Sequence, residues 1–140
     1  MKTQKPLLLT VSAILAVLGA YYYIAAERQT DTTTGNPLAN VVVPELDGAA
    51  RQGEALFNAS CASCHGANAA GKEGAAPPLV HKIYEPNHHG DMAFYRAVEN
   101  GVRQHHWPFG NMSPVLNVSR DDVTTIIAYV RTLQRANGIE

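Results

Sequence analysis

The sequence predicts a helical protein with one apolar span ahead of its folded part. Apolar residues recur at helical spacing in several stretches, most clearly in the last, where Val123, Ile126, Ile127, Val130 and Leu133 share one face. Clusters of glycine and proline separate these stretches. No alternation of strand and helix patterns surrounds the single pair of cysteines.

The chain opens with Lys2 and Lys5, and then runs from Leu7 to Ala26 without a charge. A basic start followed by an apolar run is an export signal. At about 20 residues the run matches a hydrocarbon core of roughly 30 Å, whereas a cleaved signal has an apolar core of about 7–15 residues. Leu18 and Ile24 stand where a cleavage site wants small side chains, and Tyr21, Tyr22 and Tyr23 fall where aromatic rings prefer the membrane interface. Residues 1–26 are therefore expected to stay as a transmembrane signal anchor, with a long cleaved signal peptide as the alternative. Lys2 and Lys5 would remain cytoplasmic, which delivers the rest to the periplasmic side. Residues 27–46, rich in turn formers, are expected as a flexible linker, with Val41-Val42-Val43 as an extended piece leaning on the domain.

The domain is expected over 47–140. Asp47 would cap a first helix reaching about Ser60, with Gly53, Leu56, Phe57 and Ser60 on one face. Glycine inside a helix costs about 1 kcal/mol relative to alanine, so Gly53 suggests a second helix crossing closely there. Residues 66–80 read as a loop. Asp91 would cap a helix to Asn100, closed by Gly101, and 105–118 is irregular around Pro108, Gly110 and Pro114. The last helix starts at Ser119, with Asp122 three residues on, places Arg131 and Arg135 in its final turns, and ends at Gly138. A net charge of −1 leaves no nucleic-acid footprint.

The chemistry is concentrated in Cys61-Ala62-Ser63-Cys64-His65, which has the C-x-x-C-H form of a covalent haem attachment site. Two thiols a helical turn apart meet the two vinyl groups of the porphyrin, and the adjacent histidine can supply the proximal iron nitrogen. The chain has 2 cysteines, both in this motif, so no disulfide framework and no second ligand pair for zinc is available. A redox dithiol would want an α/β setting that the pattern does not offer.

The second axial ligand decides between carrier and open site. Met112, in the irregular Gly110-Asn111-Met112-Ser113-Pro114, is the best candidate, since such a segment can present one side chain to the far face of a ring. Met92, in a first helical turn, reads as a gap-filler. His88-His89 and His105-His106 remain alternatives in polar loops. A thioether favours Fe(II) and raises the potential relative to a second histidine. Phe57, Leu79, Phe94, Trp107 and Phe109 are candidates to bury the ring.

From about Asp47 onward the chain resembles a small bacterial single-haem cytochrome c with histidine and methionine ligands, in a membrane-anchored form. The resemblance rests on Gly53-Glu54-Ala55-Leu56-Phe57 ahead of Cys61-Ala62-Ser63-Cys64-His65-Gly66, on Pro77-Pro78-Leu79, on Asn111-Met112-Ser113-Pro114, and on Tyr129-Val130-Arg131 in the last helix. It implies an all-α bundle around one covalently attached haem c, with Gly53 and Phe57 meeting Tyr129. It also implies that the Pro77 carbonyl accepts a hydrogen bond from the His65 ring. Ser113 departs from the pattern, since many relatives have proline directly after the methionine.

The reading that follows is an electron carrier and no enzyme. One electron passes through a haem bound by Cys61, Cys64, His65 and Met112, with Pro77, Leu79 and Trp107 around it. Expected partners are the membrane and redox proteins, whether respiratory complexes, a dehydrogenase or an oxidase. The expected place is the inner membrane with the haem domain in the periplasm, or a soluble periplasmic form after cleavage. The alternative is a haem protein with an open or displaceable sixth position, acting as a small-ligand sensor or enzyme subunit. The run His105-His106-Trp107-Pro108-Phe109 stands out without a derived role.

Overall fold

The computed structural model describes residues 16–21 and 35–140, in two compact units divided after Thr34. In the first unit, residues 16–21 are helical and exposed. The rest of the apolar run read as a membrane anchor lies outside the described residues. No helix among the described residues is long and apolar enough to cross a membrane.

The second unit, Gly35–Glu140, is mostly helical. Its elements are α1 (Gly48–Ser60), α2 (Ala62–His65), α3 (Asp91–Asn100) and α4 (Arg120–Ala136), with 3-10 turns at Ala67–Ala69 and Lys82–Tyr84. Among the described residues no strand forms beyond the isolated bridges Lys72–Ala76 and Val102–Met112.

The core lies between α1 and α4. α4 starts at a reciprocal cap: Ser119 Oγ accepts from Asp122 N at 3.2 Å, and Asp122 Oδ2 accepts from Ser119 N at 3.0 Å. Val123, Ile126, Ile127, Val130 and Leu133 are buried along one stripe, as their spacing requires. α1 lays Ala50, Gly53 and Phe57 against it. At Gly53 a Cβ would come within 2.9 Å of Tyr129 Cβ and still closer to Thr125 O. The bare backbone is what lets the helices approach, and the penalty glycine carries in a helix is offset by the contact. Phe57 and Tyr129, both fully buried, pack with ring centroids 5.6 Å apart and tilted by 55°.

Three expectations need correction. The segment 35–46, read as part of a flexible linker, is laid onto the domain. Leu38 N and Ala39 N donate to Ala70 O at 3.0 and 2.9 Å, Val42 exchanges two hydrogen bonds with the Asn137 side chain, and Leu46 is buried in the core. Its peptide groups find partners that a turn-rich composition does not reveal. Second, Asp91 is not the cap of α3. Gly90 holds that position, and the Asp91 carboxylate pairs with Arg131 at 2.9 Å. Third, Asp47 stands at the α1 cap position but makes no side-chain capping bond.

Candidate functional site

α1 does not run straight into the cysteine motif. Cys61, at φ −123° and ψ −33°, breaks the helix and caps the short α2. His65 N donates to Cys61 O at 2.9 Å, which closes the motif into one turn. Both thiols are free, Cys61 half-buried against the core and Cys64 exposed. Burial, and then the neighbouring Cys64, push the Cys61 thiol up to about 11. A redox dithiol needs the opposite, a thiol poised to ionise near neutral pH. The pair is thus unlike an exchange site in its electrostatics as well as in its setting.

His65 points its Nδ1 at Pro77 O, 2.9 Å away. A carbonyl only accepts, so Nδ1 carries the proton and Nε2 keeps a free lone pair. Burial lowers the His65 pKa, and the Pro77 bond works against that shift. The ring is therefore neutral at pH 7, the form that binds a metal.

The Pro77 carbonyl is positioned by the chain that follows it, where Leu79 is fastened through both its N–H and its carbonyl. Leu79 N donates to Ala69 O at 2.8 Å, and Gln134 Nε2 from α4 donates to Leu79 O at 2.8 Å. Ala69, buried completely, sits in the left-handed region at φ 56°, a conformation that costs a non-glycine residue about 1 kcal/mol or more. That turn aims its carbonyl at both Leu79 N and Val80 N. Leu79 itself is half-buried at the edge of the core.

Met112 belongs to a second loop. Val102 N donates to Met112 O at 3.0 Å and Met112 N to Val102 O at 2.9 Å, so residues 103–111 form a loop pinched at its base. Inside it Gln104 N donates to Asn111 Oδ1 at 2.9 Å, and Gly110 N to Gln104 Oε1 at 2.8 Å. These bonds stiffen the segment that Ser113, in place of proline, would otherwise loosen. Gly101, at φ 74°, passes so close to Met112 O that a Cβ there would collide with it and stand 3.1 Å from Pro114 Cδ. The Met112 side chain is half-buried.

Trp107 stacks on Phe109 at 6.0 Å and meets the edge of His81 at 5.1 Å. Its Nε1 is buried without a hydrogen-bond partner. Tyr84 lies nearby. Burial pushes its phenol up to about 12, and the Trp107 N–H offsets part of that rise without reaching good hydrogen-bonding geometry.

Two residues that hold the site together were not assigned a role from sequence. Arg131, buried, donates to Asp91 Oδ1 at 2.9 Å, Tyr84 O at 2.8 Å, Gln134 Oε1 at 2.6 Å and His89 O at 2.6 Å. Gln134, fully buried, adds a bond to Tyr84 O at 2.9 Å. Together they fasten the 79–91 segment to α4. Their mark in the sequence was a polar side chain on the apolar stripe, four residues after Ile127 and Val130. Two shallow clefts run along α4, one beside Pro86 and Ile139 and one beside Ala50 and Tyr95; neither borders Cys61, Cys64, His65 or Met112.

Among curated proteins no match to the chain is found. A protein-family model, cytochrome c, matches residues 50–134.

Proposed function

The chain belongs to the cytochrome c family, and from that premise we propose a one-electron carrier at the periplasmic face of a membrane, with His65 and Met112 as axial ligands. Membership implies one covalently bound haem c, and Cys61 and Cys64 are spaced for its two thioether bonds. When bound, that group supplies an iron couple that takes up and gives back one electron.

The residues present fit such a group. Two free thiols lie one turn apart, and a neutral imidazole presents an unengaged nitrogen. A buried indole N–H lacks an acceptor from the protein, which a carboxylate-bearing macrocycle would provide. The observation that carries the reading most is the His65 to Pro77 hydrogen bond. It fixes the tautomer, raises the basicity of the free nitrogen and prevents the ring from turning. The pinched loop ending at Met112 supports the second ligand, because a stiff loop holds a weak thioether in place with little reorganisation.

Carbon monoxide tests this assignment. With both positions filled, the reduced protein at neutral pH should change its spectrum slowly or not at all. A rapid, complete change would favour the sensor or enzyme alternative.

Residues 1–26 are proposed as the anchor. Because the domain begins at Gly35, the spacer shortens to residues 27–34, with a reach of at most about 28 Å. A carrier on so short a tether meets membrane-embedded dehydrogenases or oxidases at an effective concentration near millimolar. The mature protein should keep its N-terminus and stay with membranes through salt and alkaline washing. An N-terminus near Glu27 would show instead a diffusible periplasmic carrier.

A further inference from the structure

Of the chain's 6 histidines, four gather at one place that the haem reading does not use. His88 and His89 come from the loop before α3, and His105 and His106 from the loop that ends at Met112. The rings lie close: His105 and His106 have centroids 4.4 Å apart, His88 and His89 4.7 Å, and His106 stands 5.2 Å from both His88 and His89. One ligand nitrogen from each of His88, His89 and His106 falls within 4.8 Å of the others.

We propose that His88, His89 and His106, with the His105 ring packed beside them, form a binding site for a divalent late first-row transition ion such as zinc, separate from the haem iron. Geometry is the first support. His88 Nε2 and His106 Nε2 are 3.3 Å apart. A tetrahedral ion with bonds of about 2.0–2.1 Å to nitrogen separates its ligands by about 3.3–3.4 Å. One edge of the tetrahedron is thus already at length.

Ligand preparation is the second. His89 Nδ1 donates to Ile83 O at 2.7 Å, and His105 Nδ1 donates to Arg103 O at 2.8 Å. Each bond fixes a tautomer with Nε2 left as the acceptor, the arrangement usual for metal-bound histidine. His89 is held further by its own carbonyl, which accepts from Arg131. The third support is the donor set. No thiolate or carboxylate belongs to the cluster, and an all-imidazole set suits zinc, copper or nickel ahead of calcium or magnesium. A bound ion would clasp the 81–90 segment to the 103–111 loop, whose base ends at Met112.

The test uses the full-length, tag-free holoprotein, stripped of loose metal and titrated with zinc chloride by calorimetry. The expected result is one zinc per chain, a raised melting temperature, and a zinc-edge absorption spectrum with a nitrogen shell and imidazole outer-shell scattering. The double substitution His88→Gln with His106→Gln should abolish this binding. His89→Gln should weaken it by at least about tenfold, the loss that even an outer-sphere partner brings. His81→Gln, outside the cluster, should bind as the parent does. The Soret band of each variant reports that the haem domain is intact, so a loss of zinc binding can be read as loss of ligands. Absence of stoichiometric binding by the parent, or equal binding by the double variant, would overturn the proposal.

Discussion

Replacing Cys61 or Cys64 with serine is expected to cut the yield of haem-bearing protein by about tenfold or more, and replacing both to abolish it. A domain of this size retains only about 5 kcal/mol of net stability, so a prosthetic group bound to the native state alone is a large part of what keeps it folded. The half-buried Cys61, Ala62, Leu79 and Phe94 along the edge of the core are apolar surface still in want of cover. Acid–acetone extraction checks the bond itself. In the parent the haem should stay with the protein layer. Haem passing into the organic layer, or a doubly substituted protein accumulating with haem at the parental level, would contradict covalent attachment.

Met112→Ala is the second large effect. It should remove the weak far-red band of ferric histidine–methionine haem and open the iron to carbon monoxide and cyanide. The potential should fall on the order of 100 mV, roughly a fiftyfold change in the ferrous-to-ferric ratio. Gly101→Ala should give a milder form of the same changes. Its residue sits at φ 74°, and an added Cβ would push the Met112 backbone out of its pairing with Val102. Met92, half exposed in the first turn of α3, should tolerate alanine without spectral change. The reverse pattern, with Met92→Ala losing the band and Met112→Ala keeping it, would move the ligand to Met92.

Periodicity and local capping made much of the fold legible. The span of α3 was readable except for its cap, which falls on Gly90 instead of Asp91, and the reciprocal cap between Ser119 and Asp122 was foreshadowed by their spacing. Gly53 announced a helix crossing because an interior glycine has few other uses. What could not be read were contacts between distant parts of the chain. The pairing of Val102 with Met112 and the bonds from Leu38 and Ala39 to Ala70 use backbone groups, which every residue carries alike, and Val42 likewise offers only its backbone to the Asn137 side chain. Asp91 looked like a cap because aspartate usually is one, and only Arg131 across the fold shows why it is turned elsewhere. The motif at 61–65 named its chemistry in advance, since vinyl spacing and iron ligation demand those residue types in that order. The four histidines were visible as pairs, but nothing local says that positions 88–89 and 105–106 meet.

The central claim, a six-coordinate carrier ligated by His65 and Met112, is tested most directly by a spectroscopically monitored redox titration of the purified holoprotein. The account predicts a single reversible one-electron transition, low-spin spectra in both oxidation states, and the far-red band present in the ferric form and lost on reduction. A high-spin ferrous spectrum with no far-red band in the ferric protein would contradict it and leave the sixth position open.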